Sequence, residues 1–86
     1  MVPPVVVRQQ IPSFVGTVAS TRAGVVEIIV NENGTVDAAR IQTSLDPSYD
    51  ERVISAAKHW TYKPATVDGM PVKFLRRVRV VLNKSQ

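Results

Sequence analysis

The chain has 86 residues, 44% of them hydrophobic and 21% charged, with a formal net charge of +4 and no cysteine. A chain of this length makes one small domain that buries about 60–65% of its unfolded surface, without disulfides or Cys-based metal sites. No apolar run approaches the roughly 20 residues that span a bilayer, and Val5-Val6-Val7 is too short for the apolar region of a signal peptide. The basic balance raises nucleic acid as a partner, but a base-stacking platform needs exposed aromatics interleaved with the cations. The few aromatics form no such array.

Residues 1–11 read as an extended entry segment, because Pro3-Pro4 and Pro12 block helix and Val5-Val6-Val7 favours strand or polyproline geometry. Ser13 ahead of Phe14, Val15 and Val18 predicts a short helix or irregular turn, weakened by Gly16 and Thr17. The first firm strand is 24–30, with Val26, Ile28 and Val30 on one face and Val25, Glu27 and Ile29 on the other. Asn31-Glu32-Asn33-Gly34 follows as a hairpin turn, since both residues of Asn-Gly tolerate positive φ. A second strand spans 35–43. Val36 and Ile41 share a face only if one residue is extra, so a bulge is expected near Ala38-Ala39.

Asp46-Pro47 opens a helix, the aspartate as N-cap and the proline in the first turn. Asp50 and Glu51 suit its positive end, Lys58 and His59 its negative end. Tyr49, Val53, Ala56, Ala57 and Trp60 recur at helical spacing as one apolar stripe, widened by Ile54. Pro64 is expected to stop the helix. Trp60-Thr61-Tyr62-Lys63-Pro64-Ala65, with the tight turn Val67-Asp68-Gly69-Met70-Pro71, reads as a corner that hands a helix over to a sheet. The closing strand is 72–82: Val72, Phe74, Val78, Val80 and Leu82 on one parity, Lys73, Leu75, Arg77, Arg79 and Val81 on the other. Arg76 interrupts the apolar face, as expected where a strand outruns its helix. The predicted class is α+β: an antiparallel three-stranded sheet, with an extra N-terminal strand as an option, backed on one face by an amphipathic helix.

Residues for chemistry are scarce. His59 is the single histidine and has no base or ligand partner nearby in sequence, so a helix-capping or surface role accounts for it. First-turn placement explains Asp46, Asp50 and Glu51 without a carboxylate pair. Asn33-Gly34-Thr35 satisfies a glycosylation pattern that the turn explains better. No phosphate loop, nucleophile elbow or zinc spacing is present, which argues against an enzyme, a cofactor or a bound metal.

Several strings together carry a resemblance. They are Gly24-Val25-Val26-Glu27-Ile28-Ile29-Val30, Asn33-Gly34-Thr35-Val36, Tyr49-Asp50, Ala57, the Trp60-to-Ala65 run and Asp68-Gly69-Met70-Pro71-Val72. In this order they resemble the C-terminal domain of the TonB family, the periplasmic energy transducers of Gram-negative bacteria. The likeness covers residues 10–82, within a domain placed at 12–83 ahead of a tail at 84–86. Family members commonly carry Tyr-Pro at the domain entry, where this chain has Ile11-Pro12.

The resemblance implies a binding module without chemistry of its own. Such a domain takes the "TonB box" of an outer-membrane transporter as an added antiparallel strand on its last strand. Carried over by position, the partner-binding residues are Gln9, Gln10, Lys73, Phe74, Leu75, Arg76, Arg77, Val78, Arg79, Val80 and Val81. Trp60, Tyr62, Pro64 and Gly69 are the structural corner. The resemblance also implies a periplasmic location, an inner-membrane tether and an energising complex reached through upstream segments. A strand-exchanged homodimer is a further implication, since short fragments of the family intertwine. Contact with peptidoglycan as an envelope scaffold, and a basic nucleic-acid-binding face at Arg76-Arg77-Val78-Arg79, remain as alternatives. Strand addition requires an unpaired edge free of proline, and 73–82 has neither proline nor glycine. Its cations also suit plain protection of an edge against self-pairing.

Overall fold

The computed structural model describes residues 1–14 and 20–83. In chain order it contains β1 (Val5–Arg8), β2 (Arg22–Val30), β3 (Val36–Thr43), α1 (Pro47–Ala57), β4 (Thr61–Lys63), β5 (Ala65–Val67), β6 (Met70–Val72) and β7 (Phe74–Leu82). The central sheet is antiparallel with order β3-β2-β7, so the class expected from the sequence is the one found. Among the described residues no helix is long and apolar enough to cross a membrane. The turn or helix expected from Ser13 to Val18 falls partly on residues 15–19, outside the described residues, as does the tail at 84–86; residues 11–14 carry no regular structure.

Strict alternation in β2 turns Val26, Ile28 and Val30 into the core, where they meet Val78 and Val80 of β7 and Tyr49, Val53 and Ala57 of α1. Trp60, Tyr62 and Leu45 complete that core. Each fully buried side chain of this size contributes about 1.5–3 kcal/mol, so truncating Ile28, which has no exposed surface, removes a large share of a small domain's margin. Ala57 is also fully buried. Its small side chain lets α1 lie close on the sheet.

The helix begins as the sequence predicts. Asp46 is the N-cap, its Oδ1 accepting from the Ser48 and Tyr49 N–H groups at 3.1 and 3.2 Å. The hydrogen bond from the Ser48 hydroxyl, followed by that from the Tyr49 N–H, holds the Asp46 carboxyl below its usual pKa. Its end differs from the expectation. The helix closes at Ala57 with Lys58 as C-cap, and the His59 and Trp60 N–H groups donate back to Ala56 and Ala57. Trp60 therefore reaches the core from beyond the helix, and Pro64 separates β4 from β5 instead of stopping α1.

Turn chemistry explains the other departures. Of Asn33-Gly34 only Gly34 takes positive φ, at 86°. Asn31 Oδ1 accepts from the Asn33 and Thr35 N–H groups, which shapes a longer loop with its left-handed position at glycine. The extra residue expected near Ala38-Ala39 lies at Asp37, because Ile29 pairs with Ala38 and Val30 with Val36. A second shift, between Val25↔Thr43 and Val26↔Ile41, leaves Gln42 over. The tight turn at 67–70 has positive φ at both Asp68 and Gly69 and joins β5 to β6 as a two-residue hairpin. Pro71 faces Thr66, whose N–H and C=O bond outward to Val2, so proline deprives this pair of no hydrogen bond. Lys73 then interrupts what the sequence reads as one strand from 72 to 82.

The optional N-terminal strand forms, but away from the central sheet. β1 pairs antiparallel with β4.

Candidate binding edge

β7 ends the sheet. All nine of its residues pair with β2 in unbroken register, from Arg22↔Leu82 to Val30↔Phe74, and among the described residues no strand pairs with its other side. Which backbone groups face that open side follows from alternation. The Asn31 N–H donates to Thr35 O, toward β3, and β2 itself carries no extra residue. Odd-numbered residues of β2 thus point their N–H and C=O groups at β3 and even-numbered ones at β7. In β7 the even positions answer β2, leaving the N–H and C=O groups of Leu75, Arg77, Arg79 and Val81 on the open edge.

The same parity puts those four side chains on the sheet face opposite α1. Leu75 and Val81 are 47% and 45% exposed there. Glu27, at 8% exposure, lies on this face between two arginines from the neighbouring strands. Arg40 Nε is 2.9 Å from its Oε1, and Arg77 Nε is 3.2 Å from its Oε2. Lys73 Nζ stands 3.6 Å from Asp37 Oδ2. Arg79 is exposed and makes no ion pair or hydrogen bond among the described residues.

The other face of β7 is used internally. Val78 and Val80 are buried, and Phe74 is half-buried. Arg76 places its guanidinium 5.4 Å from the centre of the Tyr62 ring, while its Nε is buried without a hydrogen-bond partner. Of the β7 positions carried over from the resemblance, the odd ones thus combine open backbone with exposed side chains, while exposed Lys73 lies just outside the strand. The even ones have neither an open backbone group nor a fully exposed side chain.

Gln9 and Gln10 lie elsewhere, on the aromatic corner. The Tyr62 hydroxyl donates to Gln9 Oε1 at 2.6 Å, Trp60 Nε1–H donates to Gln10 O at 2.9 Å, and the Tyr49 hydroxyl donates to Pro12 O at 2.5 Å. Burial raises the pKa of both phenols, with Arg76 pulling Tyr62 the other way, so burial favours the protonated form that donates. Buried Trp60 and Tyr62, with half-buried Pro64, form the expected corner, and exposed Gly69 sits at the hairpin tip. Between this entry segment and the end of α1 lies a groove of about 590 Å³, lined by Arg8, Gln10, Ile11, Pro12, Ser13, Ala56, His59 and Trp60. His59 is exposed on its wall.

Sequence reasoning missed the Glu27 clamp. A glutamate inside an otherwise apolar strand, at the parity shared by Arg77 and Arg79 once the strands are paired, was its available signal.

The family model described as the Gram-negative bacterial TonB protein C-terminal matches residues 23–82. The chain belongs to this family. The match spans β2 through β7, and so includes the central sheet, the helix, the corner and the open edge. No curated relative and no solved structure matches the chain. Membership identifies a TonB-like periplasmic interaction domain, of a family of protein-binding and energy-transducing modules.

Proposed function

We propose that this domain binds the TonB box of an outer-membrane transporter by strand addition to β7, passing on force derived from the inner-membrane proton gradient. The observation that carries this reading is the open edge: an unbulged, proline-free strand of nine residues whose outward N–H and C=O groups at Leu75, Arg77, Arg79 and Val81 await a partner. Backbone pairing supplies the grip, so affinity depends weakly on any one contact. In this reading the chain works below an inner-membrane anchor and its energising complex, to which upstream segments connect it.

The same edge argues against two alternatives. Two copies pairing β7 edge to edge, as distinct from exchanging strands, would oppose like charges in the register that sets Arg77 against Arg79, which destabilises a ladder. A phosphate track needs several free cations in a row, whereas Glu27 engages Arg77 and Asp37 engages Lys73. A peptidoglycan-contacting role draws support from no particular contact.

NMR titration of the ¹⁵N-labelled domain with a box-like peptide tests the proposal. The amides of Leu75, Arg77, Arg79 and Val81 are expected to shift most and to gain protection from exchange. Shifts confined to α1 or to the groove beside His59 would overturn it.

A further inference from the structure

The outer face of β7 presents a fixed order of side chains. Running along the strand it shows an exposed leucine at 75, an arginine at 77, an arginine at 79 and an exposed valine at 81. The two arginines are not equivalent. Arg77 is held against Glu27 at 3.2 Å, and Glu27 in turn is shared with Arg40. Arg79 lies across from Val25, and among the described residues no carboxylate is within ion-pair distance of it. The remaining strand cation, Arg76, is on the opposite face against the Tyr62 ring. A strand added to this edge therefore meets one uncompensated positive charge between two apolar side chains.

From this we infer a selection rule for the bound peptide, resting on the strand-addition reading above. The peptide carries a carboxylate opposite Arg79, an apolar residue two positions earlier opposite Val81, and an apolar residue four positions later opposite Leu75. The spacing follows from antiparallel pairing, in which directly opposed residues share a face and alternate residues line it. In the peptide's own direction the pattern is apolar, any, acidic, any, any, any, apolar. The fifth position, opposite Arg77, gains little from a carboxylate because Glu27 already holds that guanidinium.

Three synthetic heptapeptides with blocked termini test the rule against the intact domain at low salt. One has Val at positions 1 and 7 and Glu at 3; the second moves Glu to 5; the third keeps Glu at 3 but has Ser at 1 and 7. The other positions are Thr in all three. The first is expected to bind about threefold more tightly than the second, the range of an exposed cross-strand charge pair, and more tightly than the third. Arg79→Gln should bring the first two together, and so should high salt. The substituted side chain is exposed, and an unchanged amide spectrum establishes that the variant is folded. Equal affinities of the first two peptides, with shifts along 74–82, would overturn the selection rule and leave strand addition standing. An absence of shifts along 74–82 with all three would overturn strand addition, and the rule with it.

Discussion

The central sheet has two margins built to opposite specifications. β3 is shifted in register twice within eight residues, leaving Asp37 and Gln42 over, and its start is tied to β4 by the Thr35–Thr61 bridge and the Tyr62 N–H bond to Gly34 O. β7 runs nine residues without a shift or a proline. Bulges break the regular spacing of donors and acceptors, which is how natural sheets spoil an edge for foreign strands. The unspoiled edge is the one on which the proposed function places the peptide. Charged side chains on an edge are a general protection against self-pairing that leaves the backbone free, and β7 carries three arginines.

The largest effect is expected where the protected margin is anchored. A Cβ on Gly34, whose φ is 86°, would stand 1.9 Å from Tyr62 O. Gly34→Ala has to push the turn off β4, combining backbone strain with a clash against main chain, and is expected to cost about 3 kcal/mol or more in chemical denaturation. Gly69→Ala separates the two causes. Its φ is 79° but a Cβ there meets nothing within 4 Å, so only strain of about 1 kcal/mol remains. Comparable losses in the two variants would show that the tie to β4 does not matter.

Proline scanning distinguishes inward from outward backbone on β7. Val78→Pro removes an N–H that answers Val26 in the β2 ladder and is expected to cost about 3 kcal/mol. Leu75→Pro removes an N–H from the open edge, so the fold should persist while the peptide loses a bond. Urea midpoints and peptide titrations of both variants provide the measurement. If Leu75→Pro unfolds the domain as fully as Val78→Pro, the assignment of odd residues to the open edge is wrong.

How far the sequence revealed these features depends on the range of the interaction behind each. Asp46-Pro47 and Asp68-Gly69 were legible because caps and two-residue turns are decided by neighbours in the chain. The alternation in β2 was legible for the same reason. Trp60 reads as part of the helix because its spacing fits a 3.6-residue period, although the chain leaves the helix at Ala57 and the indole still reaches the same core. Register was the harder part. Glu27 becomes a clamp only when Arg40 and Arg77 arrive from 13 residues away on β3 and from the far end of the chain on β7. Gln9 and Gln10 are held by aromatics 53 and 50 positions away.

The entry segment forms a third margin, with β1 exposed along its length and fastened by side chains of the corner. Trp60→Phe keeps most of the buried ring but removes the donor to Gln10 O. A loss of about 1 kcal/mol is expected, from one hydrogen bond and the partner it leaves. Hydrogen exchange should quicken in β1 and β4 and stay unchanged along β7. Faster exchange at the β7–β2 ladder would mean that the entry and the binding edge open together.

Glu27 lies between the two margins and is where the smallest effect is expected. Its own carboxylate is nearly buried, but its arginine partners are well exposed, so water screens the pairs and each contributes about 0–1 kcal/mol. Glu27→Gln keeps the shape and an acceptor oxygen while removing the charge, so the melting temperature should move only slightly. The consequence for recognition is sharper than that for stability. Freed from its carboxylate, Arg77 becomes equivalent to Arg79 on the outer face. The heptapeptide with Glu at position 5 should then rise toward the affinity of the one with Glu at position 3, with no change in the amides that shift. An unaltered preference in Glu27→Gln would mean that the ion pair with Glu27 is not what distinguishes the two arginines.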